Sequence, residues 1–216
     1  MTDITFLITL RNKSMSVKTL HSLLTINIES LRTNKKIAIN YVNDDPFDKN
    51  DSIKKCLKTT SRIVNIDYGI GVDNNTIVKF FQPTPTGFNG VVFPTVTEGI
   101  DWSMFSEKVK KGSDEPISQA GLNFDTEVSK KIDDDFYMVK STVPAVWMID
   151  TKSFLKNMRV KKGEGVHLPV KKTELFKKIE ENGIKLCAYV KSKISVTYTH
   201  ECLGNILNAA GVQRVD

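Results

Sequence analysis

Through its first hundred residues the chain alternates short apolar runs with amphipathic stretches, and that alternation limits the folds open to it. "ITFLITL" (4–10) is a continuous apolar run of buried-strand length. Residues 17–31 place Val17, Leu20, Leu24, Ile28 and Leu31 at helical spacing, which predicts a helix with one apolar face. "KIAINYV" (36–42) reads as a second strand ending in Asn43-Asp44-Asp45-Pro46, and Asp51 is placed to cap a short helix through Leu57. "RIVNI" (62–66) is a third strand. Asn74 and Asn75 can cap a helix carrying Ile77, Phe80 and Phe81, which Pro83, Pro85 and Gly87 stop. "GVVFPTV" (90–96) is a fourth strand. Such alternation predicts an α/β fold, a mostly parallel mixed sheet flanked by helices.

Ligands of such sheets bind beyond the carboxyl ends of the strands. Polar residues fall there four times: Thr9, Arg11 and Asn12, then Asn43, Asp44 and Asp45, then Asp67 and Tyr68, then Glu98 and Asp101. Four such ends would converge on one rim. Beyond residue 103 the pattern loosens. Residues 106–135 are highly charged and poorly periodic and read as a covering excursion. "AVWMID" (145–150) is a further buried strand, followed by a short helix with Phe154 and Leu155. "VKKGEGVHLP" (160–169) has the glycines and charge of a loop, and Thr173 is placed to cap a helix ended by Gly183. "KLCAYV" and "ISVTYTH" are late strands, and 203–210 a last helix. The short tail after it fits the leading part of a longer polypeptide.

Bulk properties narrow the class. The 216 residues suffice for one domain with a real core, and the 40% hydrophobic content is ordinary for a soluble protein. Nothing approaches the roughly eighteen consecutive apolar residues of a membrane span. The first apolar run lacks the basic flank and cleavage site of a signal peptide. Three cysteines, Cys56, Cys187 and Cys202, show no metal-knuckle spacing and fit a reducing compartment. The net charge of +6 comes from lysine pairs spread along the whole chain, such as Lys54-Lys55 and Lys171-Lys172. They read as solvated faces, not as a nucleic-acid groove, though a mild positive field suits an anionic small substrate.

Neither GxGxxG nor GxxxxGK[ST] is present, and GxSxG is absent as well. Without a phosphate loop, a nucleotide diphosphate needs another counter-charge, and a divalent cation held by a carboxylate supplies one. Asp67, at the end of the third apolar run, is the first candidate ligand; a turn aspartate is the plainer reading of the same residue. His200, at the end of "SVTYTH", is the second, with a core or surface histidine as its plainer reading. An oxygen-plus-imidazole shell suits Mn2+ better than Mg2+. "DDDF" (133–136) is read as a solvated acidic turn.

Four stretches together resemble the GT-A class of nucleotide-sugar glycosyltransferases. They are "ITLRNK" (8–13), "YVNDDPFD" (41–48), "NIDYGIGVDNNTI" (65–77) and "ENGIKLCAYVKSKISVTYTHE" (181–201). More narrowly, "FPTVTEGIDW" (93–102), "GLNFDTEV" (121–128) and "YTHECLGNI" (198–206) resemble the glycosyltransferases that chlorella-infecting viruses encode for their major capsid protein. The resemblance implies a GT-A-like single domain over 1–216, with a nucleotide-binding half (1–100) and an acceptor and sugar half (101–216). It implies a UDP-sugar donor, a glycan acceptor, Mn2+ dependence and work in the host cytoplasm. Carried onto this sequence, it places Thr9, Leu10, Arg11, Asn43, Asp44, Asp67 and Tyr68 around the nucleotide and Asp67 with His200 on the metal. Glu98, Trp102 and Gln119 are candidates for sugar or acceptor, and Asp101 and Glu115 for the catalytic carboxylate. The chain departs from the family's Asp-x-Asp clasp at Gly69, where the second carboxylate would stand. A sugar nucleotidyltransferase and a non-catalytic nucleotide- or glycan-binding module are the alternative readings.

Overall fold

The computed structural model describes residues 2–112, 121–158 and 166–197. The first half runs β1 (Thr2–Leu10), α1 (Val17–Thr33), β2 (Ile37–Asn43), α2 (Pro46–Thr59), β3 (Thr60–Ile66), β4 (Ile70–Val72), α3 (Asn74–Phe81) and β5 (Gly90–Phe93). A hairpin of β6 (Val96–Ile100) and β7 (Leu122–Phe124) brackets α4 (Trp102–Lys110). There follow β8 (Thr126–Lys131), β9 (Phe136–Thr142), β10 (Val146–Asp150), α5 (Thr151–Asn157), α6 (Lys172–Glu181), β11 (Leu186–Tyr189) and β12 (Ile194–Val196).

Eight strands form one sheet in the order β2-β1-β3-β10-β5-β11-β9-β8. The pairings make six strands run one way, with β10 and β9 against them. The expected α/β class with a mostly parallel mixed sheet is therefore the one observed. Side chains of a strand alternate between the faces of a sheet. Phe6, Ile8, Val64, Ile66 and Phe93 accordingly pack under α1 and α3, through Ile26, Ile77 and Phe80. Leu7, Ile63 and Trp147 face α2, α5 and α6, through Ile53, Phe154 and Phe176. Among the described residues no helix is long and apolar enough to cross a membrane.

Several local expectations change. The apolar stripe of α1 does not face the core: Val17 and Leu31 are each 82% exposed, and Leu20, Leu24 and Ile28 are exposed too. Its inward face carries hydroxyls because β4 leaves backbone groups to satisfy. Thr19 Oγ1 donates to Ile70 O at 2.7 Å, and Ser22 Oγ accepts from Val72 N at 2.8 Å. The second helix starts at Pro46, not near Asp51, because Asp45 accepts from the amides of Phe47 and Asp48 and proline is suited to the first helical position. Asp73, not Asn74 or Asn75, caps α3. The 90–96 run breaks after Phe93, since Pro94 has no N–H for the ladder, and Val96 begins a separate hairpin. Part of the 106–135 stretch is ordered structure, with β8 closing the far edge of the sheet. Lys171, without a side-chain cap bond, replaces Thr173 as the residue preceding α6. The acidic turn reading of 133–136 holds: Asp133 accepts from the amides of Asp135 and Phe136, and Asp135 pairs with Lys79 and Lys191. Cys56 and Cys187 are free and buried, and burial pushes the Cys187 thiol up to about 12.

Candidate functional site

Three parallel strands end side by side, and their last residues make one polar network. Leu10 closes β1, and its carbonyl accepts from Asp44 N at 2.8 Å, which carries the β1–β2 ladder one residue past the strand. The chain then reverses within four residues. Asn12 and Lys13 both take left-handed backbone, at φ 51° and 58°, and Arg11 and Ser14 exchange backbone hydrogen bonds across the turn. Arg11 is thereby held over the rim. Its Nε and Nη2 donate to Asp44 Oδ2 at 3.2 and 2.8 Å, and its guanidinium lies 4.8 Å from the centre of the Tyr68 ring. Asn43 donates to Asp48 Oδ2 at 2.9 Å, fixing the strand end to α2.

Asp67, one residue past β3, lies at the centre. Its amide donates to Ala145 O at 3.1 Å. Lys172, the first residue of α6, donates to Oδ2 at 2.8 Å, while Oδ1 receives Asn65 at 3.1 Å and Thr9 at 3.4 Å. Lys49 of α2 bridges two carboxylates, standing 2.7 Å from Asp44 Oδ1 and 3.5 Å from Asp67 Oδ1. Burial alone would raise the Asp67 carboxyl. The ammonium charges of Lys172 and Lys49, helped by hydrogen bonds from Lys172 and Asn65, outweigh it and hold the group below its usual value. Asp44 follows the same pattern, with burial opposed by hydrogen bonds and charge from Lys49 and Arg11.

Lowered carboxylate values fix the direction of a pH effect. The stability these pairs lend is fully present above the ordinary aspartate value of 3.8 and is lost as pH falls through the lower folded-state values. Urea midpoints of the wild type and Asp67→Asn are expected to differ by a constant amount near neutrality and to converge below about pH 4.

Below Asp67 lies a cleft of about 120 Å3 whose walls include Lys49, Asn50, Asn65, Trp147 and Lys172. Asn50 is 5% exposed; its amide nitrogen donates to Leu168 O and Pro169 O, and its Oδ1 is buried without a partner. The cleft is smaller than the roughly 300 Å3 of the smallest ligand pockets, so it has room for a single chemical group and not for a whole nucleotide.

The network unites Thr9, Leu10, Arg11, Asn43, Asp44, Asp67 and Tyr68, all named from sequence. Asp101 and Trp102 stand apart from it, at the start of α4. The Asp101 carboxylate caps that helix, accepting from Met104 N at 2.9 Å, and Trp102 is 69% exposed with its ring edge-on to Phe105. Glu98 lies on β6 with its side chain outside the described residues; Glu115, Gln119 and His200 also lie outside them. Sequence reading passed over Lys49, Asn65 and Lys172. The only signal for Lys172 was a lysine pair just before a helix.

Of the two ligands that the resemblance implies for a metal, Asp67 stands at the rim and His200 lies outside the described residues. Among the described residues no group of three or more His, Cys, Asp or Glu side chains comes together. Asp67 is already shared by two ammonium groups. The clasp's second position is closed, because Gly69 has φ 75° and a Cβ there would stand 3.0 Å from Thr197 O. Gly69→Asp is expected to cost about 1–2 kcal/mol through forced left-handed backbone, measured as a denaturant midpoint, with no gain in manganese affinity.

No family model matches the chain, and no curated protein matches it in sequence. Among solved structures it is similar to A197 from STIV, at 11% identity and a TM-score of 0.50, covering 91% of this chain and 86% of that one. A mutant of Drosophila beta-1,4-galactosyltransferase 7, in complex with manganese, UDP-Gal and xylobiose, is similar at 10% identity and a TM-score of 0.48, covering 94% of this chain and 74% of that one. The 4-diphosphocytidyl-2C-methyl-D-erythritol synthase of Anaerococcus prevotii is similar at 13% identity and a TM-score of 0.42, covering 98% and 99%. The likeness to A197 is one of fold alone, and the two weaker ones carry no argument.

Proposed function

We propose that the protein is a GT-A-type transferase that moves a hexose from a UDP-sugar to a glycan hydroxyl, in the glycosylation of a viral capsid protein in the host cytoplasm. One observation carries the reading of the site. The carboxyl ends of β1, β2 and β3 bring Thr9, Arg11, Asp44, Asp67 and Tyr68 together, where open α/β sheets take their ligands. The sequence resemblance supplies the sugar chemistry. Arg11 over Tyr68 offers a flat surface for the base, and Asp44 offers acceptor oxygens to a base N–H or a ribose hydroxyl. Arg11, Lys49 and Lys172 are the cations that face Asp44 and Asp67 at the rim. As the bond to the anomeric carbon breaks, negative charge grows on the departing diphosphate, and preorganised cations stabilise it most at that moment. Asp101 and Glu115 remain the candidates for the base that takes the acceptor's proton. The acceptor then approaches from the β6 side, where Glu98, Trp102 and Gln119 are the proposed contacts.

Incubation with a panel of UDP-sugars and glycan acceptors is expected to release UDP. Pyrophosphate production from UTP and a sugar 1-phosphate, without UDP release, would replace this reading with a nucleotidyltransferase. Nucleotide binding with neither activity would replace it with a binding module.

A further inference from the structure

We propose that Lys49 and Lys172 take the place of the divalent cation at this site, binding the diphosphate of the nucleotide directly. The proposal rests on the reading of the rim as a nucleotide site.

Three observations lead to it. Position 69, where a second metal-binding carboxylate would stand, is held in left-handed backbone with a carbonyl 3.0 Å from where a Cβ would sit, so a side chain there is strained. Both oxygens of Asp67 are engaged, Oδ2 by Lys172 and Oδ1 by Asn65, Thr9 and Lys49. A metal ion reaching Asp67 would stand beside an ammonium group 2.8 Å from Oδ2, whose charge opposes it.

The lysines also have capacity to spare. An ammonium carries three donors and no acceptor. Lys172 gives one hydrogen bond, to Asp67, and 36% of its side chain is exposed, so phosphate oxygens can reach the remaining N–H groups from solvent. Lys49 is 27% exposed. Asp67 then acts as a positioning residue. It fixes two ammonium groups from helices far apart in sequence at one spot. The cleft beneath has room for one small ligand group beside the phosphate.

The test is calorimetric titration of UDP into the full chain, once in EDTA and once with manganese. The expected result is the same affinity in both, with Lys172→Met weakening binding at least about tenfold in EDTA, as loss of a charge-assisted bond predicts. Lys172→Arg keeps the charge and is expected to recover most of the affinity, which a merely structural role would not require. Thermal melting of each variant reports whether it folds; if Lys172→Met does not, Lys49→Met serves in its place. Binding that appears only with manganese, and that Lys172→Met leaves unchanged, would overturn the proposal while the nucleotide reading stands. Absence of UDP binding in both conditions would overturn the nucleotide reading and the proposal with it.

Discussion

Asp125→Ala is expected to lower stability by about 3 kcal/mol, because hydrogen bonds to a charged group are worth about 1.5–3 kcal/mol and the bonds here are not additive. The Asp125 carboxylate gathers three chain corners. It accepts from Thr95 N at 3.1 Å and from the Thr95 hydroxyl at the β5–β6 corner, from Thr126 Oγ1 at 2.9 Å, and from Ala145 N at 2.9 Å before β10. Alanine leaves Thr95 N and Ala145 N without this acceptor, while the Thr126 hydroxyl can still turn to Thr142 Oγ1 at 2.7 Å. A loss of that size moves the melting temperature of a chain this long by about 6–12 °C. The effect reaches the site as well. Ala145 O accepts from the amide of Asp67 and from Asn65 Nδ2, so the corner that Asp125 holds is the one that seats Asp67. Asp125→Asn, which retains one acceptor oxygen, is expected to lose less. Differential scanning calorimetry of the two variants checks both values. A melting temperature unchanged in Asp125→Ala would remove Asp125 from this role.

Trp147→Ala is expected to cost more, about 3–5 kcal/mol, the range for truncating a large buried aromatic side chain. Trp147 is 4% exposed on β10, with Asn65 and Val92 as its neighbours across the sheet. Its ring stands edge-on to Phe176 of α6 at 6.0 Å. The space vacated would open into the cleft beneath Asp67, and α6 cannot simply settle into it while Lys172 is tied to Asp67. Relaxation is therefore limited, and the cost belongs at the upper end of the range. Trp147→Phe fills part of the volume and is expected to recover part of the stability in chemical denaturation. A denaturant midpoint indistinguishable from the wild type would mean that the wall of the cleft is not built as described.

β1, β3 and β5 were legible because their apolar runs are buried in the sheet, and the rim was legible because Thr9, Arg11, Asp44 and Asp67 stand at or just past the strand ends. What sequence hid is long-range. The stripe Leu20, Leu24, Ile28 and Leu31 has the spacing of a core face. Yet α1 turns Thr19 and Ser22 inward, because β4, some fifty residues later, needs their hydroxyls. The pairing of Lys172 with Asp67 spans 105 residues, and nothing local distinguishes that lysine from its solvated neighbours. Gly69 looked like a lost ligand beside a metal aspartate. Its φ of 75° gives it a conformational reason, and the cations beside Asp67 give the site another source of positive charge. Asp125 was visible only as part of a motif, "GLNFDTEV", whose role in joining corners needed the fold.

If the ends of β1, β2 and β3 form a nucleotide site, saturating UDP will slow amide hydrogen exchange at residues 9–14, 43–49 and 67–69 and leave the edge pair β8 and β9 unchanged. Protection confined to other elements, or no protection at saturating UDP, would contradict it.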